Sequence, residues 1–251
     1  MDSISILDSA MGSELISRGE KLPKYIWSAH SNLNNPNLVY QIHRDNVLSG
    51  AYIIIANTFR ATPRSYKKTG LTTERAINES NKSLNAAILL AKKSASNNVM
   101  ILGSIAPLED CYHPELFPGE HIAMNEYYQL GKWIQDAGAD GIILETMNSV
   151  IETKTALLAL KKINPNPKFI EVHRLTNFRE RSTDINVILD LMIHDIDIML
   201  KILNTDIKKI SAIGTKVFTN TLDIVNARIL FANKCIANIT ASRVSFKDER
   251  K

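Results

Sequence analysis

Short apolar runs alternate with longer amphipathic stretches through the first 160 or so residues. The apolar, β-branched run at residues 51–56 is typical of a buried parallel strand, and residues 38–47 repeat apolar positions at helical spacing. The pattern predicts strands at residues 4–8, 51–56, 99–105 and 141–144, and helices at residues 10–17, 36–47, 73–93, 124–137 and 150–161. Strand and helix alternate four times, which predicts a parallel sheet with right-handed crossovers.

The pattern changes beyond residue 168, where strands follow one another. A strand is predicted at residues 169–172 and another at 207–217, and residues 226–231 and 235–244 alternate as the two arms of a hairpin. A helix is predicted at residues 184–203. Its apolar stripe consists of Val187, Leu191, Ile198 and Ile202, and its polar stripe of Asp190, His194 and Asp197.

Residues 164–167 read Asn-Pro-Asn-Pro and cannot continue a helix, since proline lacks the amide donor. We therefore predict a linker here and two domains, residues 1–165 and 166–251. The first 165 residues hold 16 basic and 16 acidic residues, so the net charge of +4 lies wholly in the second part. Two separate structural units are favoured. The alternative is one continuous sheet, with residues 169–172 as a fifth parallel strand beside residues 141–144.

Bulk composition narrows the class of protein. The chain has 251 residues, 45% of them apolar and 22% charged, as in a soluble globular protein. We expect no membrane span and no signal peptide, and hence a cytoplasmic protein. Basic residues are scattered without stacking aromatic residues, so nucleic acid is not an expected partner. Only Cys111 and Cys235 are present, which excludes a disulfide framework and a Cys-x-x-Cys metal pair.

Polar side chains follow each predicted strand of the first part at its carboxyl end. They are Asp8, Asn57, Thr58, Ser104 and Glu145. This is where a (β/α)8 barrel keeps its chemistry. For Asn57 or Ser104 taken alone, a helix cap or turn residue is the favoured interpretation. The two acids are harder to explain that way, because an acid directly after an apolar strand faces a buried rim.

Several motifs of the first part follow one family's order. They are Leu7-Asp-Ser-Ala-Met-Gly-Ser-Glu-Leu15, Trp27-Ser-Ala, Asn35-Pro36, Asn57-Thr-Phe-Arg-Ala61, Gly103-Ser-Ile-Ala-Pro107 and Gly138-Ala-Asp-Gly-Ile-Ile-Leu-Glu-Thr-Met147. Together they resemble homocysteine S-methyltransferases. The resemblance implies a (β/α)8 barrel that transfers a methyl group to the homocysteine thiol, giving methionine. It also implies that Asp8 and Glu145 hold the homocysteine amino group and that Trp27 lines the pocket.

The same resemblance implies a zinc ion that stabilises the homocysteine thiolate, held by three cysteines, two of them in a Gly-Gly-Cys-Cys segment. This sequence has no such segment. A site made of Cys111, His113 and His121 can be imagined, but an ordinary loop is strongly favoured. We therefore expect no metal ligands and no zinc cofactor.

The second part resembles another family. Glu171-Val-His-Arg174, Asp190-Leu-Met-Ile-His-Asp-Ile-Asp197 and Ala237-Asn-Ile-Thr-Ala-Ser-Arg243 are similar to the C-terminal domain of glucose–fructose oxidoreductase and inositol dehydrogenase enzymes, in particular UDP-N-acetylglucosamine 3-dehydrogenases. By this resemblance His194 serves acid–base chemistry and Asp190 assists substrate binding; taken alone, a satisfied histidine is favoured. Neither the Gly-x-Gly-x-x-Gly motif for NAD nor a Glu-Lys-Pro motif is present, so we expect no NAD cofactor and treat both residues as vestigial.

The sequence thus predicts an α/β protein: a partial (β/α)8 barrel of about four βα units, followed by an α+β, mostly antiparallel sheet fragment. The predicted function is that of a homocysteine S-methyltransferase-like protein, with homocysteine as its small-molecule partner and with activity impaired by the missing zinc cysteines. The alternatives are a sugar-nucleotide dehydrogenase fragment without its Rossmann domain, and an inactive fusion product.

Overall fold

Three parallel strands form the sheet of the first half of the chain in this computed structural model. The structure describes residues 6–95, 98–163, 168–178 and 184–250. The side chains of Ile202 and Arg250 are not described. The chain divides into two compact units, unit 1 (Met1–Glu145) and unit 2 (Thr146–Lys251). The predicted linker at residues 164–167 lies outside the described residues. The domain boundary at 165/166 marks where two family resemblances meet, and it stays a prediction.

Unit 1 alternates helices and strands as predicted. Its elements are α1 (Met11–Ser17), a 3₁₀ turn (Trp27–His30), α2 (Ser31–Asn34), α3 (Pro36–Leu48), β1 (Ile53–Ala56), α4 (Pro63–Lys67), α5 (Thr73–Ser94), β2 (Met100–Ile105), a 3₁₀ turn (Pro114–Leu116), α6 (Glu120–Asp136) and β3 (Gly141–Leu144). The predicted strand and helix positions are confirmed to within a few residues at their ends.

The strands of unit 1 pair in chain order, β1 with β2 and β2 with β3, all parallel. The predicted first strand is described from Ile6 onward. Leu7 forms a parallel bridge to Ile53, and the Asp8 N–H donates to the Ile53 carbonyl at 3.1 Å. Each crossover contains a helix, which confirms the parallel α/β arrangement. A barrel of four units remains a prediction.

Helices α5 and α6 cover the sheet of unit 1. One face of α5 is buried through Leu84, Ala87, Ile88 and Ala91. On α6, Ile134 lies against Gly103 of β2 so closely that a Cβ at that glycine would collide with its side chain. The Gly103 in the predicted Gly-Ser-Ile-Ala-Pro motif therefore permits close packing of helix and sheet.

Unit 2 contains α7 (Val150–Lys161), β4 (Phe169–Leu175), a π-helical turn (Ile188–Met192), α8 (Ile193–Leu203), β5 (Ile207–Thr215), β6 (Ile224–Phe231), β7 (Ile236–Ser242) and β8 (Glu249–Arg250). The sheet order is β5-β6-β7-β4-β8. The β6–β7 hairpin confirms the predicted one. Pairing is antiparallel except between β4 and β7, which are parallel with Phe169 opposite Ile236.

The pairing of β4 decides between the two predicted architectures. β4 pairs with the hairpin strand β7, which supports the favoured two-unit arrangement, and a fifth strand beside β3 is wrong. The two units divide at residue 145/146, so α7, which was predicted within the first domain, belongs to unit 2. The physical reason is the two-sided character of β4. Ile170 and Val172 pack against the core of unit 2, whereas Glu171 is exposed, so β4 suits a sheet with one open face.

The helical segment of unit 2 corrects the predicted apolar stripe. The π-helical turn inserts one residue, so the fully buried positions after Val187 are Met192, Met199 and Leu203. Each lies one residue beyond a predicted position. Leu191 and Ile198 are only partly buried, and the side chain of Ile202 is not described. In the described part of the chain, no helix is long and apolar enough to span a membrane.

His43 of α3 is a titratable side chain in the apolar interior of unit 1. It is fully buried, and neither ring nitrogen has a hydrogen-bond partner among the described residues. Burial lowers the pKa of His43 to about 4, from its ordinary value of 6.5. The neutral imidazole thus packs as an apolar group, and protonation opposes folding.

We predict that His43→Leu reduces the acid sensitivity of the protein. A lowered folded-state pKa means that the unfolded chain binds the proton first, so stability is lost as pH falls from about 6.5 towards 4. Between pH 7.5 and pH 5 the wild type should lose about 2 kcal/mol more unfolding free energy than the variant. Urea denaturation at both pH values measures this. His121→Leu, at an exposed position, serves as control, and equal acid losses in wild type and His43→Leu would contradict the assignment.

Candidate functional site

Asp8 lies beside the carboxyl end of β1. Its Oδ2 accepts a hydrogen bond from the Ile55 N–H at 2.9 Å, while its own N–H donates to the Ile53 carbonyl. The other oxygen, Oδ1, is buried and has no hydrogen-bond partner among the described residues. A buried carboxylate oxygen without a partner among the described residues is unusual in a folded protein.

Glu145 follows β3 at the same end of the sheet. Its N–H donates to the Ile105 carbonyl at 2.9 Å, and its Oε2 accepts a short hydrogen bond from the Ser104 hydroxyl. Ser104 is itself held by Thr58, whose hydroxyl donates to the Ser104 carbonyl and accepts from the Ser104 N–H, both at 2.7 Å. The end of β1 therefore fixes the strand that carries the partner of Glu145.

The two acids share one electrostatic environment. Burial raises the pKa of Asp8 to about 7; the Ile55 N–H opposes this rise, and the charge of Glu145 adds to it. Burial also raises the pKa of Glu145, against the Ser104 hydrogen bond. Two partly desolvated carboxyl groups of like charge favour a bound cation. An ammonium group, with one positive charge and three donors, satisfies both requirements.

Trp27 forms a third part of this region through its contact with the Asp8 segment. A Cβ at Gly12 would lie 2.8 Å from Nε1 of Trp27, so the indole packs directly on that glycine. The Trp27 backbone has a φ of 44°, which is rare for a bulky residue, and the side chain is 39% exposed. The predicted trio of Asp8, Trp27 and Glu145 is thus built around the end of β1. Their role in binding a substrate stays a prediction.

The sequence analysis did not predict the bridging role of three polar residues in this region. Thr58 and Ser104 connect β1 to Glu145, as described above, and Asn57 donates to the Ser28 carbonyl next to Trp27 at 2.8 Å. The interpretation of Asn57 and Ser104 as caps or turn residues is wrong, because both side chains bridge separate segments. The recurrence of polar residues at every strand end indicated these positions, but not the partners that their side chains reach.

The residues considered for a metal do not form a coordination site. Cys111 is buried, whereas His113 is exposed and pairs with Glu115 at 2.8 Å. Among the described residues, no three histidine, cysteine, aspartate or glutamate side chains come together in a way that could hold a metal ion. The donor set present therefore does not fit the tetrahedral zinc of the family resemblance.

In unit 2 the two residues of the predicted pair lie in different helical elements and differ in burial. His194 is exposed on α8, and Asp190 is partly buried in the π-helical turn. The buried acid is the neighbouring Asp195, which accepts from Nε of Arg174 at 2.7 Å and from its Nη2 at 2.5 Å. The structure thus uses Asp195, which the sequence did not single out, as a partner for Arg174. The vestigial role of His194 and Asp190 stays a prediction.

A second buried acid of unit 2, Asp223, accepts hydrogen bonds from the loop that precedes β6. Burial alone would raise its pKa, but N–H groups of Thr219, Val217 and Phe218 and the Thr219 hydroxyl outweigh burial and lower the pKa to about 2. Arg243 lies 3.6 Å from Asp223 and also donates to the Ile185 carbonyl at 2.6 Å. Arg243 belongs to the third dehydrogenase-like motif and here stabilises the loop before β6.

Comparison with known proteins identifies the family. The sequence profile described as homocysteine S-methyltransferase matches residues 5–209, most of the chain. The chain belongs to the homocysteine S-methyltransferase family. The match continues past the predicted boundary at residue 165 and includes α8, which lies in unit 2.

Individual relatives agree with the profile. Homocysteine S-methyltransferase of Escherichia coli is 28% identical over 164 residues, which cover 59% of this chain and 52% of that protein. The oxidised form of the homocysteine methyltransferase MmuM from Escherichia coli has a TM-score of 0.57 at 26% identity, over 72% of this chain and 63% of that one. The chain spans about half the length of the curated methyltransferases it matches.

The C-terminal part has a second relative. UDP-N-acetylglucosamine 3-dehydrogenase of Acidithiobacillus ferrooxidans is 38% identical over 85 residues, which make up 34% of this chain and 27% of that protein. Both resemblances found in the sequence are therefore confirmed. The family assignment rests on the methyltransferase match, which covers much more of the chain.

We predict that Asp8→Asn stabilises the ligand-free protein at alkaline pH. A folded-state pKa of about 7 means that stability present at low pH is lost as pH rises from about 4 through 7. Asparagine still accepts from the Ile55 N–H but carries no charge. The unfolding free energy at pH 8 should rise by about 1–3 kcal/mol, and by much less at pH 4. Thermal and urea denaturation measure the gain. Asp45→Asn is the control, because Asp45 is exposed. Destabilisation of Asp8→Asn at pH 8 would refute the electrostatic account.

Proposed function

We propose that this chain is a homocysteine S-methyltransferase-like protein whose unit 1 binds homocysteine by its α-ammonium group, with methyl transfer to the thiol impaired. One observation carries the proposal: the buried Oδ1 of Asp8 has no hydrogen-bond partner among the described residues and lies in the field of Glu145. Family membership supplies the substrate class. The ammonium group would donate to both carboxylates, and the indole of Trp27 would cover the carbon chain.

The chemical step needs a nucleophilic sulfur. In methyl transfer the sulfur lone pair forms a bond to the methyl carbon, the donor's bond to that carbon breaks, and the thiol proton passes to water. A thiol has a pKa near 8.5, so only about 3% of it is ionised at pH 7 unless the site lowers that value. No three-ligand group among the described residues supplies that assistance. The expected activity is therefore low.

The dehydrogenase alternative is supported by sequence resemblance alone. Its expected acid–base residue, His194, is exposed on α8, and the buried acid beside it is engaged with Arg174. The chain also lacks the glycine motif that would hold NAD. We therefore propose no redox reaction for unit 2. The third alternative is an inactive fusion product. It predicts that homocysteine does not bind, and the binding experiment below tests this.

Homocysteine binding tests the proposal directly. We expect a dissociation constant in the millimolar range, about −4 kcal/mol, because the sulfur has no metal to bind. Glu145→Gln should weaken binding about tenfold, since it removes one charge from the ammonium site. Isothermal titration calorimetry with EDTA present measures both. Exposed Glu120→Gln is the matched control, and 4-mercaptobutanoate, which lacks the amine, should not bind. No binding of homocysteine to the wild type would refute the proposal.

The affinity should also depend on pH in a defined direction. An ammonium group prefers ionised Asp8, whose pKa is about 7 in the ligand-free protein, so binding requires a proton to leave when the pH is lower. Affinity should rise about tenfold from pH 6 to pH 8, and the binding enthalpy should vary with the ionisation enthalpy of the buffer. Asp8→Asn should abolish the pH dependence. An affinity that falls over this range would contradict the role of Asp8.

Metal content provides an independent test of impairment. We predict that purified protein contains well below one equivalent of zinc, because two lone cysteines cannot complete a tetrahedral thiolate site. Elemental analysis after dialysis against a weak chelator measures this. Stoichiometric zinc that disappears in Cys111→Ser would revive a metal-dependent methyltransferase.

A further inference from the structure

We infer that Asn57 is the positioning residue that holds Trp27 in its binding conformation. Its consequence for ligand affinity rests on the proposed homocysteine site, whereas its consequence for the conformation of Trp27 does not. Asn57 directly follows β1 and is 3% exposed. Taken alone in the sequence it resembles a turn residue, yet both protons of its side-chain amide are used within the interior of unit 1.

The two amide protons of Asn57 go to different segments. One hydrogen bond runs to the Ser28 carbonyl at 2.8 Å and the other to Oδ1 of Asn32 at 2.8 Å. Asn32 returns a hydrogen bond from Nδ2 to the Asn57 carbonyl at 2.9 Å and another to Oγ of Ser83 at 3.0 Å. The Ser83 hydroxyl then donates to the Ala29 carbonyl at 3.1 Å. Every member is buried, so these bonds are not replaced by water.

This network holds the backbone immediately after Trp27. Ser28 and Ala29, the next two residues, have their carbonyl groups bonded to Asn57 and Ser83. Trp27 itself has a φ of 44°, a conformation that a bulky residue keeps only where its surroundings impose it. On the other side, the Trp27 N–H donates to the Pro23 carbonyl at 2.9 Å. Removing the Asn57 amide would release the hydrogen bond to the Ser28 carbonyl, which is the restraint next to Trp27.

Gly12 provides the surface against which the indole rests. Because a Cβ there would lie 2.8 Å from Nε1 of Trp27, the ring has no room to move towards α1. Asn57 holds the backbone of Trp27, and Gly12 limits the ring. Trp27 remains 39% exposed, and in the proposed homocysteine site this exposed part is the surface that the ligand would contact. The geometry thus assigns Asn57 an effect on substrate affinity without contact to the substrate.

The experiment uses the full chain with Trp133→Phe, which leaves Trp27 as the sole tryptophan. In Asn57→Ala, the acrylamide quenching constant of Trp27 should rise by up to about twofold, since the residue is already 39% exposed, and its anisotropy should fall. Ser80→Ala is the control and should leave Trp27 fluorescence unchanged, because the buried Ser80 hydroxyl donates to the Ile77 carbonyl within α5. Circular dichroism establishes that each variant is folded.

Homocysteine titration then separates positioning from binding. Asn57→Ala should weaken homocysteine about tenfold, because a misplaced wall costs affinity without loss of the ammonium site. Glu145→Gln should weaken binding while Trp27 quenching stays at the wild-type value. If the wild type binds no homocysteine, the proposed function fails, but altered quenching in ligand-free Asn57→Ala still supports the positioning role.

Unchanged quenching and anisotropy in folded Asn57→Ala would overturn the inference. Should that variant fail to fold, Asn57→Asp tests the same role, because it keeps the shape of the side chain but removes both amide donors. Quenching should rise in Asn57→Asp as well. Wild-type quenching in folded Asn57→Asp would likewise overturn the inference.

Discussion

The carboxyl end of β1 is the constraint on which the candidate site depends. Within residues 55–58, a backbone N–H holds Asp8, the Thr58 hydroxyl holds the strand that carries Ser104, and the Asn57 amide holds the segment after Trp27. Each link joins residues more than twenty positions apart. Because all three meet on one short segment, a shift of β1 relative to β2 would move every part of the site together. This is how a sheet makes side chains from distant loops into one rigid arrangement.

The site is stabilised by these links and opposed by its own charges. Two carboxyl groups with raised pKa, one with an oxygen that lacks a partner among the described residues, weaken the fold at neutral pH. A bound ammonium group would turn both into favourable interactions. Such conflict is typical of binding sites, where stability is reduced until the ligand arrives. His43 differs, because its ring, which has no hydrogen-bond partner in the described part of the chain, lies in the core outside this site and affects stability alone.

In unit 2, buried charged residues form ion pairs that join one element to another. Arg174 of β4 and Asp195 of α8 are both buried and form two hydrogen bonds, which join the helix to the sheet. Asp223 and Arg243 similarly tie the loop before β6 to the end of β7. Breaking such buried pairs is strongly destabilising because it leaves an uncompensated charge. The motifs that resemble the dehydrogenases therefore have a role in this fold that needs no cofactor.

The sequence by itself determined the secondary-structure elements. Through its family motifs it also indicated Asp8 and Glu145 as the acids of the candidate site. Apolar runs and helical spacing located β1, β2, β3 and their helices, because these patterns depend on neighbours along the chain. The polar residues at strand ends indicated where Asp8 and Glu145 lie, and the two faces of β4 indicated the open sheet of unit 2. These conclusions needed only periodicity and the direction of parallel strands.

Tertiary structure decided everything that joins distant residues. The π-helical turn moved the buried stripe by one residue and brought Asp195 rather than His194 towards the core, an outcome set by packing against the sheet. The bonds of Asn57, Thr58 and Ser104 run across segments up to 46 residues apart, so no local pattern could predict them. The raised pKa of Asp8 likewise depends on burial and on Glu145. Sequence patterns record which residues prefer the interior, whereas the partners that they meet there depend on the folded chain.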